Sequence, residues 1–274
     1  MRLSPRHPRY ASLRVRARLA NAHRHGVVVP EGLIAQGRGE AFDYLLGEHS
    51  SPSARRAERV AAEWLLAAHH PVVSVNGNVA ALAAREVAAL ARAVPGLAVE
   101  VNLFHRTGPR ARAVARALRA AGVTRVLGVR PTATIPGLPS DRARVDRGGI
   151  FRADVCLVPL EDGDRAEALR ALGKRVISID LNPLSRTSRA ADLPIVDEVQ
   201  RALREIVRAA GARGGRASPP HMRPFDRRAA LADALATIAR ELSRAAARGS
   251  IGRPRRRASR RRSRGTGGRS RRMP

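Results

Sequence analysis

Two short stretches in the second half of the chain gather the residue types that chemistry needs. Residues 158–165 read VPLEDGDR and residues 178–187 read SIDLNPLSRT. Each follows an apolar run of strand type, at 153–158 and 175–179, and then breaks into carboxylates, an amide, hydroxyls and an arginine. Open α/β sheets bind their ligands where the carboxyl ends of parallel strands meet the following loops. Glu161, Asp162 and Asp164 can hold Mg2+ through one or two carboxylates plus phosphate oxygens, or bind a substrate ammonium. Asp162 and Asp164 equally suit the first turn of a following helix. Asp180 and Asn182 can read ribose hydroxyls or a base edge, and Arg186 with Thr187 can hold phosphate.

Three smaller features join them. Asn76-Gly77-Asn78 stands at a strand–helix junction, where free N–H groups and the helix dipole favour an anion, although Asn and Gly also suit a plain turn. Arg38 lies between Gly37 and Gly39, in a segment expected to turn through the glycines before becoming helical. Its guanidinium can reach a phosphate there or simply face solvent. His105 follows another apolar run and offers a proton carrier or a hydrogen-bonding partner. No P-loop or dinucleotide fingerprint is present, which argues against an ordinary P-loop kinase or NAD enzyme.

The elements that must position these residues alternate. After a helical first 70 residues, including a helix over 12–25 and one capped by Ser53, strands are expected at 71–75, 97–104, 125–129, 153–158, 175–179 and near 195–196. Helices are expected over 79–93, 109–121, 165–172, 199–210 and 227–247, and 130–152 as a long irregular loop. Strands separated by such helices predict an α/β fold, doubly wound around a mainly parallel sheet, with an N-terminal helical segment and C-terminal helices. The organisation expected is a helical segment over 1–70, a catalytic domain over 71–251 and a disordered arginine-rich tail over 252–274.

The chain has 274 residues and a formal charge of +29. Eleven arginines and no acid fall within 252–274. A tail of that composition binds RNA or anionic surfaces without sequence specificity, which gives an alternative reading as a nucleic-acid-binding protein. Many other arginines, including Arg110, Arg112, Arg116 and Arg119, recur at helical spacing beside alanines and read as a solvated face. No apolar stretch reaches the roughly 18 residues of a membrane span, so no membrane partner is expected. Cys156 is the only cysteine, which favours a reducing cytoplasm.

Seven motifs occur in order: HPRY at 7–10, GLIAQGRGEAFDYLL at 32–46, VSVNGN at 73–78, VNLFHRT at 101–107, IPGL at 135–138, VPLEDGDR at 158–165 and IDLNPLSRT at 179–187. The set resembles the archaeal 4-phosphopantoate–β-alanine ligases, or phosphopantothenate synthetases, over roughly residues 6–248. The resemblance implies a Rossmann-like homodimer that makes an amide in coenzyme A biosynthesis. ATP would activate the carboxylate of 4-phosphopantoate as an acyl-adenylate, and β-alanine would displace AMP. Family ATP positions map onto Arg16, Arg38, Asp180, Leu181, Asn182, Arg186, Thr187, Glu198 and Val199. Gln36 and Glu198 depart from the His and Asn expected there. With that chemistry in view, Arg16, Arg38 and Arg186, with Mg2+, neutralise phosphate charge. Asn76, Asn78 and His105 are candidates to orient 4-phosphopantoate and the oxyanion, and Glu161 or Asp162 to bind the amine and take its proton.

Overall fold

Three helices precede the first strand: α1 (Tyr10–Arg24), α2 (Pro30–Leu46) and α3 (Pro52–Ala67). The computed structural model describes residues 4, 6, 7, 9–212 and 222–248, so the arginine-rich tail lies outside the described residues. Two expectations change here. Helix α2 runs unbroken through Gly32, Gly37 and Gly39, so Arg38 is a helical residue rather than part of a turn. Gly32 has a packing reason, because a Cβ there would stand 2.3 Å from Oδ1 of Asn78. Nothing in the structure explains Gly37. Helix α3 is capped by Ser51, whose side chain accepts from the Ala54 N–H, and Pro52 occupies the first turn. Proline suits that position because its missing N–H would be unpaired anyway. Ser53 is buried inside the helix.

Strands and helices then alternate: β1 (Pro71–Val75), α4 (Gly77–Ala93), β2 (Ala98–Val101), α5 (Gly108–Ala120), β3 (Val126–Leu127), β4 (Ala133–Thr134), β5 (Arg144–Val145), β6 (Val155–Pro159), α6 (Gly163–Ala171), β7 (Arg175–Ile179), α7 (Arg186–Ala190), β8 (Leu193–Ile195), α8 (Val199–Gly211) and α9 (Arg227–Ala247). Six strands form a parallel sheet in the order β3-β2-β1-β6-β7-β8. The strand order reverses between β1 and β6, which makes that junction the topological switch point.

The strands read as continuous apolar runs because both faces are covered. Val73, Val75, Leu157, Ile177 and Ile179 pack with residues of α3, α4, α5 and α8. Their alternates Val72, Cys156, Val158 and Val176 pack on the other face with Ala166 and Leu169 of α6. The expected irregular loop completes that second face. It carries the β4–β5 hairpin and buries Ile135, Leu138, Val145 and Ile150 against the sheet. Its apolar residues are too sparse to show a period, yet each finds a place in the core. Glu100 on β2 ties the segment down, accepting from the N–H groups of Asp146 (2.8 Å) and Ile150 (2.6 Å). Burial pushes its pKa up to about 7 against those two bonds. Among the described residues, no helix is long and apolar enough to cross a membrane.

Candidate active site

Both polar stretches leave the sheet at its carboxyl edge, one after β6 and the other after β7, on neighbouring strands. They also touch. Thr187 Oγ1 donates to the carbonyl of Glu161 at 2.6 Å. A Cβ on Gly163 would stand 2.3 Å from Cβ of Arg186, so glycine is what lets the start of α6 close against α7.

The stretch after β7 is organised by its own side chains. Asp180 accepts from the Asn182 N–H and Asn182 from the Leu184 N–H, both at 2.9 Å. Each is an Asx-type turn, in which the side chain replaces a backbone partner. Ser185 then caps α7. Arg38 approaches from α2 closely enough to favour the charged form of Asp180, although burial dominates and raises that carboxyl's pKa. Leu181 is buried with Leu46 and Val196, beside Gly39. Arg16 holds Glu40 on α2 through two bonds of 2.9 and 3.0 Å, and Tyr44 donates to the same carboxylate at 2.5 Å. After β8, Glu198 caps α8 by accepting from the Gln200 and Arg201 N–H groups, both at 3.0 Å. Burial raises its pKa. Val199 is buried at the start of that helix. Arg186 is exposed and paired with Glu167 at 3.3 Å.

The carboxylates after β6 do not stand free as expected. Both Glu161 oxygens are engaged by arginines. Arg142 Nε lies 2.8 Å from Oε1, while Oε2 accepts from Nη1 of Arg142 (3.2 Å) and from Arg165. The Glu161 side chain is 1% exposed. Asp162 pairs with Arg142 at 2.9 Å but remains 44% exposed. It occupies the position before α6 without making a side-chain cap, and Asp164 lies in the first turn. An enclosed carboxylate with two guanidiniums on it has no room for a substrate amine or a metal. Among the described residues, no group of three or more His, Cys, Asp or Glu side chains is placed to hold a metal ion.

The asparagines near the switch point are also occupied. Asn76 caps α4 through Oδ1 to Val79 N–H (3.0 Å), and its Nδ2 donates to the carbonyls of Pro159 (3.2 Å) and Leu160 (2.8 Å). It therefore ties the end of β1 to the end of β6. Asn78 Nδ2 donates to the Gly32 carbonyl at 2.7 Å, fixing α2 over the same edge. His105 is half-exposed, 4.0 Å from Glu31. The geometry thus brings the residues after β1, β6, β7 and β8 to one edge, with α2 above them.

A family model described as phosphopantothenate/pantothenate synthetase matches residues 53–241. The chain belongs to that family. Relatives carrying the name 4-phosphopantoate–β-alanine ligase are similar over most of their length. The Methanospirillum hungatei protein is 57% identical over 202 residues, covering 74% of this chain and 82% of the relative. That of Methanosarcina mazei is 53% identical over 204 residues, 74% and 80%. The Thermococcus kodakarensis protein is 51% identical over 205 residues, 74% and 78%. Of the two departures from the pattern expected of this family, Glu198 is seen to cap α8, a position that Asn also suits.

Sequence reasoning missed Arg142 and Arg110. Arg142 lies in a segment with no period, and its partners Glu161 and Asp162 are 19 and 20 residues away in sequence. Arg110 was grouped with the solvated face of α5. Instead it is half-buried, donating to the carbonyls of Val27 (3.3 Å) and His105 (2.5 Å). The chain also holds a cavity of about 550 Å3 between α3 and α8, lined by Arg55, Arg59, Arg204 and Glu58. Ser50 and Arg201 also line it, and both bond Asp197, so it adjoins the end of β8 next to Glu198.

Proposed function

We propose that this protein condenses 4-phosphopantoate with β-alanine in coenzyme A biosynthesis, using ATP and releasing AMP and pyrophosphate. The observation that carries this reading is 51–57% identity over about three quarters of the chain to relatives bearing that name. The gathering of the candidate residues at the carboxyl edge of the sheet supports it. A carboxylate oxygen of 4-phosphopantoate attacks the α-phosphorus of ATP and pyrophosphate leaves. The amine of β-alanine then attacks the acyl carbon, AMP leaves with its electron pair, and the ammonium proton passes to a base or to water.

Arg16, Arg38, Arg186 and Thr187 serve the phosphates, and Asp180, Leu181 and Asn182 serve the ribose and base together with Glu198 and Val199. Asn76 and Asn78 act by positioning, since their amides already hold β6 and α2 in place. His105 stands at the rim, where it can meet the substrate. Asp162 replaces Glu161 as the carboxylate for the β-alanine ammonium, because it retains an exposed face. Glu161 instead fixes Arg142. Mg2+ would be carried on ATP's phosphates, where it would offset their charge, and Asp180 would be the carboxylate to hold it at the nucleotide end of the site. The active form is a cytoplasmic homodimer, with Cys156 kept as a buried thiol, and residues 252–274 form a separate accessory segment beyond the helical and catalytic regions.

The test is product analysis with ATP, 4-phosphopantoate and β-alanine. AMP formation that depends on both other substrates is expected; ADP, or no dependence on β-alanine, refutes the reading. The eleven tail arginines favour a second, additional property, RNA binding. Removing residues 252–274 is expected to leave ligase activity intact while abolishing salt-sensitive RNA retention.

A further inference from the structure

Helix α2 is held at its two ends in different ways. Near its start, Asn78 of α4 donates to the Gly32 carbonyl at 2.7 Å. Near its end, Asp43 accepts a fork of two bonds from Arg201 of α8, from Nη1 at 3.1 Å and from Nη2 at 2.5 Å. The same guanidinium serves a second carboxylate. Its Nε donates to Oδ1 of Asp197 at 2.9 Å, and its Nη2 stands 2.8 Å from that oxygen. All three nitrogens of the arginine are thereby engaged.

Asp197 carries the link into the turn between β8 and α8. Its Oδ1 also accepts the Glu198 N–H at 2.7 Å, and its Oδ2 accepts from Ser50, in the segment joining α2 to α3, at 2.5 Å. Next to it Glu58 of α3 is fully buried, with no donor on either carboxyl oxygen. Burial and the neighbouring Asp197 push Glu58 up to about 9, so it keeps its proton at neutral pH. The negative charge at this junction therefore belongs to Asp43 and Asp197, and Arg201 meets both. Burial opposes the charge of Arg201, yet the two carboxylates raise its pKa above the ordinary value. The apolar contact at the same junction is small, Leu46 of α2 with Leu181 and Val196. Apolar contact is non-directional, so the ion pairs are what fix how far α2 stands along its axis.

The two elements joined in this way carry residues assigned to the nucleotide. Arg38 lies on α2 five residues before Asp43, about 7.5 Å along the axis at the rise of an α-helix. Glu198 and Val199 follow Asp197 directly. A helix moves as a rigid rod, so a shift of Asp43 relative to Asp197 moves Arg38 relative to Glu198 by a like amount. We infer that Arg201 is a positioning residue for ATP: by holding Asp43 and Asp197 together it locks α2 to the β8–α8 turn and sets the spacing between the parts of the nucleotide site that each carries. The inference rests on the assignment of Arg38, Glu198 and Val199 to ATP under the proposed function. A planar guanidinium can span two carboxylates at once, whereas an ammonium is a single point of charge. The end of β1 is fixed separately, through Asn76 to the carbonyls of Pro159 and Leu160, so the spacing that Arg201 sets concerns ATP and not 4-phosphopantoate.

Calorimetric titration of the full-length protein with ATP and Mg2+ and, separately, with 4-phosphopantoate tests the assignment. Asp43→Asn and Arg201→Met are each expected to weaken ATP binding at least about tenfold, and to change 4-phosphopantoate binding less than about twofold. Arg201→Lys keeps the charge but cannot span both carboxylates, so it recovers only part of the loss. The double variant Asp43→Asn with Arg201→Met is expected to bind ATP no more weakly than the worse of the two single variants, because both break one link. Asp43→Asn carries the test if the Arg201 variants do not fold. Equal losses for both ligands signify a general loosening of the fold and overturn the positioning role. Unchanged ATP affinity in the single variants, or losses that add in the double variant, overturn it too. A wild type that binds ATP and responds to these substitutions as expected, yet forms no AMP with 4-phosphopantoate and β-alanine, keeps the role of Arg201 and refutes the ligase reading instead.

Discussion

The two halves of the sheet edge are charged in opposite ways. On the β1–β2 side, Arg110 bonds only main-chain carbonyls among the described residues, feels the like charge of Arg142 and adjoins the start of α4. On the β7–β8 side, burial raises the pKa of the carboxyls of Asp180 and Glu198. Behind them, burial together with the neighbouring carboxylate of Asp197 pushes Glu58 up to about 9. On one side arginines stand with the carboxylates of Glu161 and Asp162, and on the other burial works against the charged form of the carboxylates. The first suits a phosphate dianion, and the second suits hydroxyl and amino groups that donate hydrogen bonds, as a ribose and an adenine do. On the proposed function one sheet edge orients two substrates, and the role proposed for Arg38 is to lend positive charge where a polyphosphate crosses the acidic half.

Substitutions can break this contrast. The largest effect is expected from Arg142→Met, which strands the buried Glu161 carboxylate with Arg165 alone. Removing one partner from a buried ion network costs about 3–5 kcal/mol, so thermal unfolding should move down by many degrees; a melting curve close to wild type would show that Arg142 does not hold the network. Next, Arg38→Ala should lower kcat/KM by at least about tenfold, through the ATP-dependent steps, as steady-state kinetics would show. A pH-dependent effect belongs to Glu58. It keeps its proton in the folded protein to about pH 9, whereas an ordinary glutamate ionises near 4.5. The fold therefore binds the extra proton in that window, and its stability falls as pH rises from about 4.5 to about 9. Glu58→Gln should flatten that fall in thermal melts taken across the same range. The smallest change is expected from Thr187→Val, which loses the bond to the Glu161 carbonyl. Denaturant titration should show a loss of about 1 kcal/mol.

What was legible in the sequence was where strands end. Val155–Pro159 and Arg175–Ile179 declare themselves by their mainly apolar content, and the polar residues beyond them fall at the edge that collects ligands. What was not legible was which polar groups would find each other inside the protein. Glu161 reads as a free ligand until the sheet order brings Arg142 and Arg165 to it. Arg110 reads as one more surface arginine because α5 shows its pattern but not which neighbour lies beside its first turn. Gly37 and Gly39 suggest a turn, yet helix α2 is held by contacts made elsewhere along it, through Gly32 to Asn78 and through Glu40 to Arg16. Propensity yields there to packing.

The division of the sheet edge is tested most directly by crossing two variants with two substrates. Michaelis constants would be measured for Arg110→Ala and Arg38→Ala, varying ATP and 4-phosphopantoate in turn at saturating β-alanine. The expected result is a crossed pattern: Arg110→Ala raises KM for 4-phosphopantoate at least about tenfold with little change for ATP, and Arg38→Ala does the reverse. Parallel losses for both substrates in both variants, or a loss in neither, would contradict it.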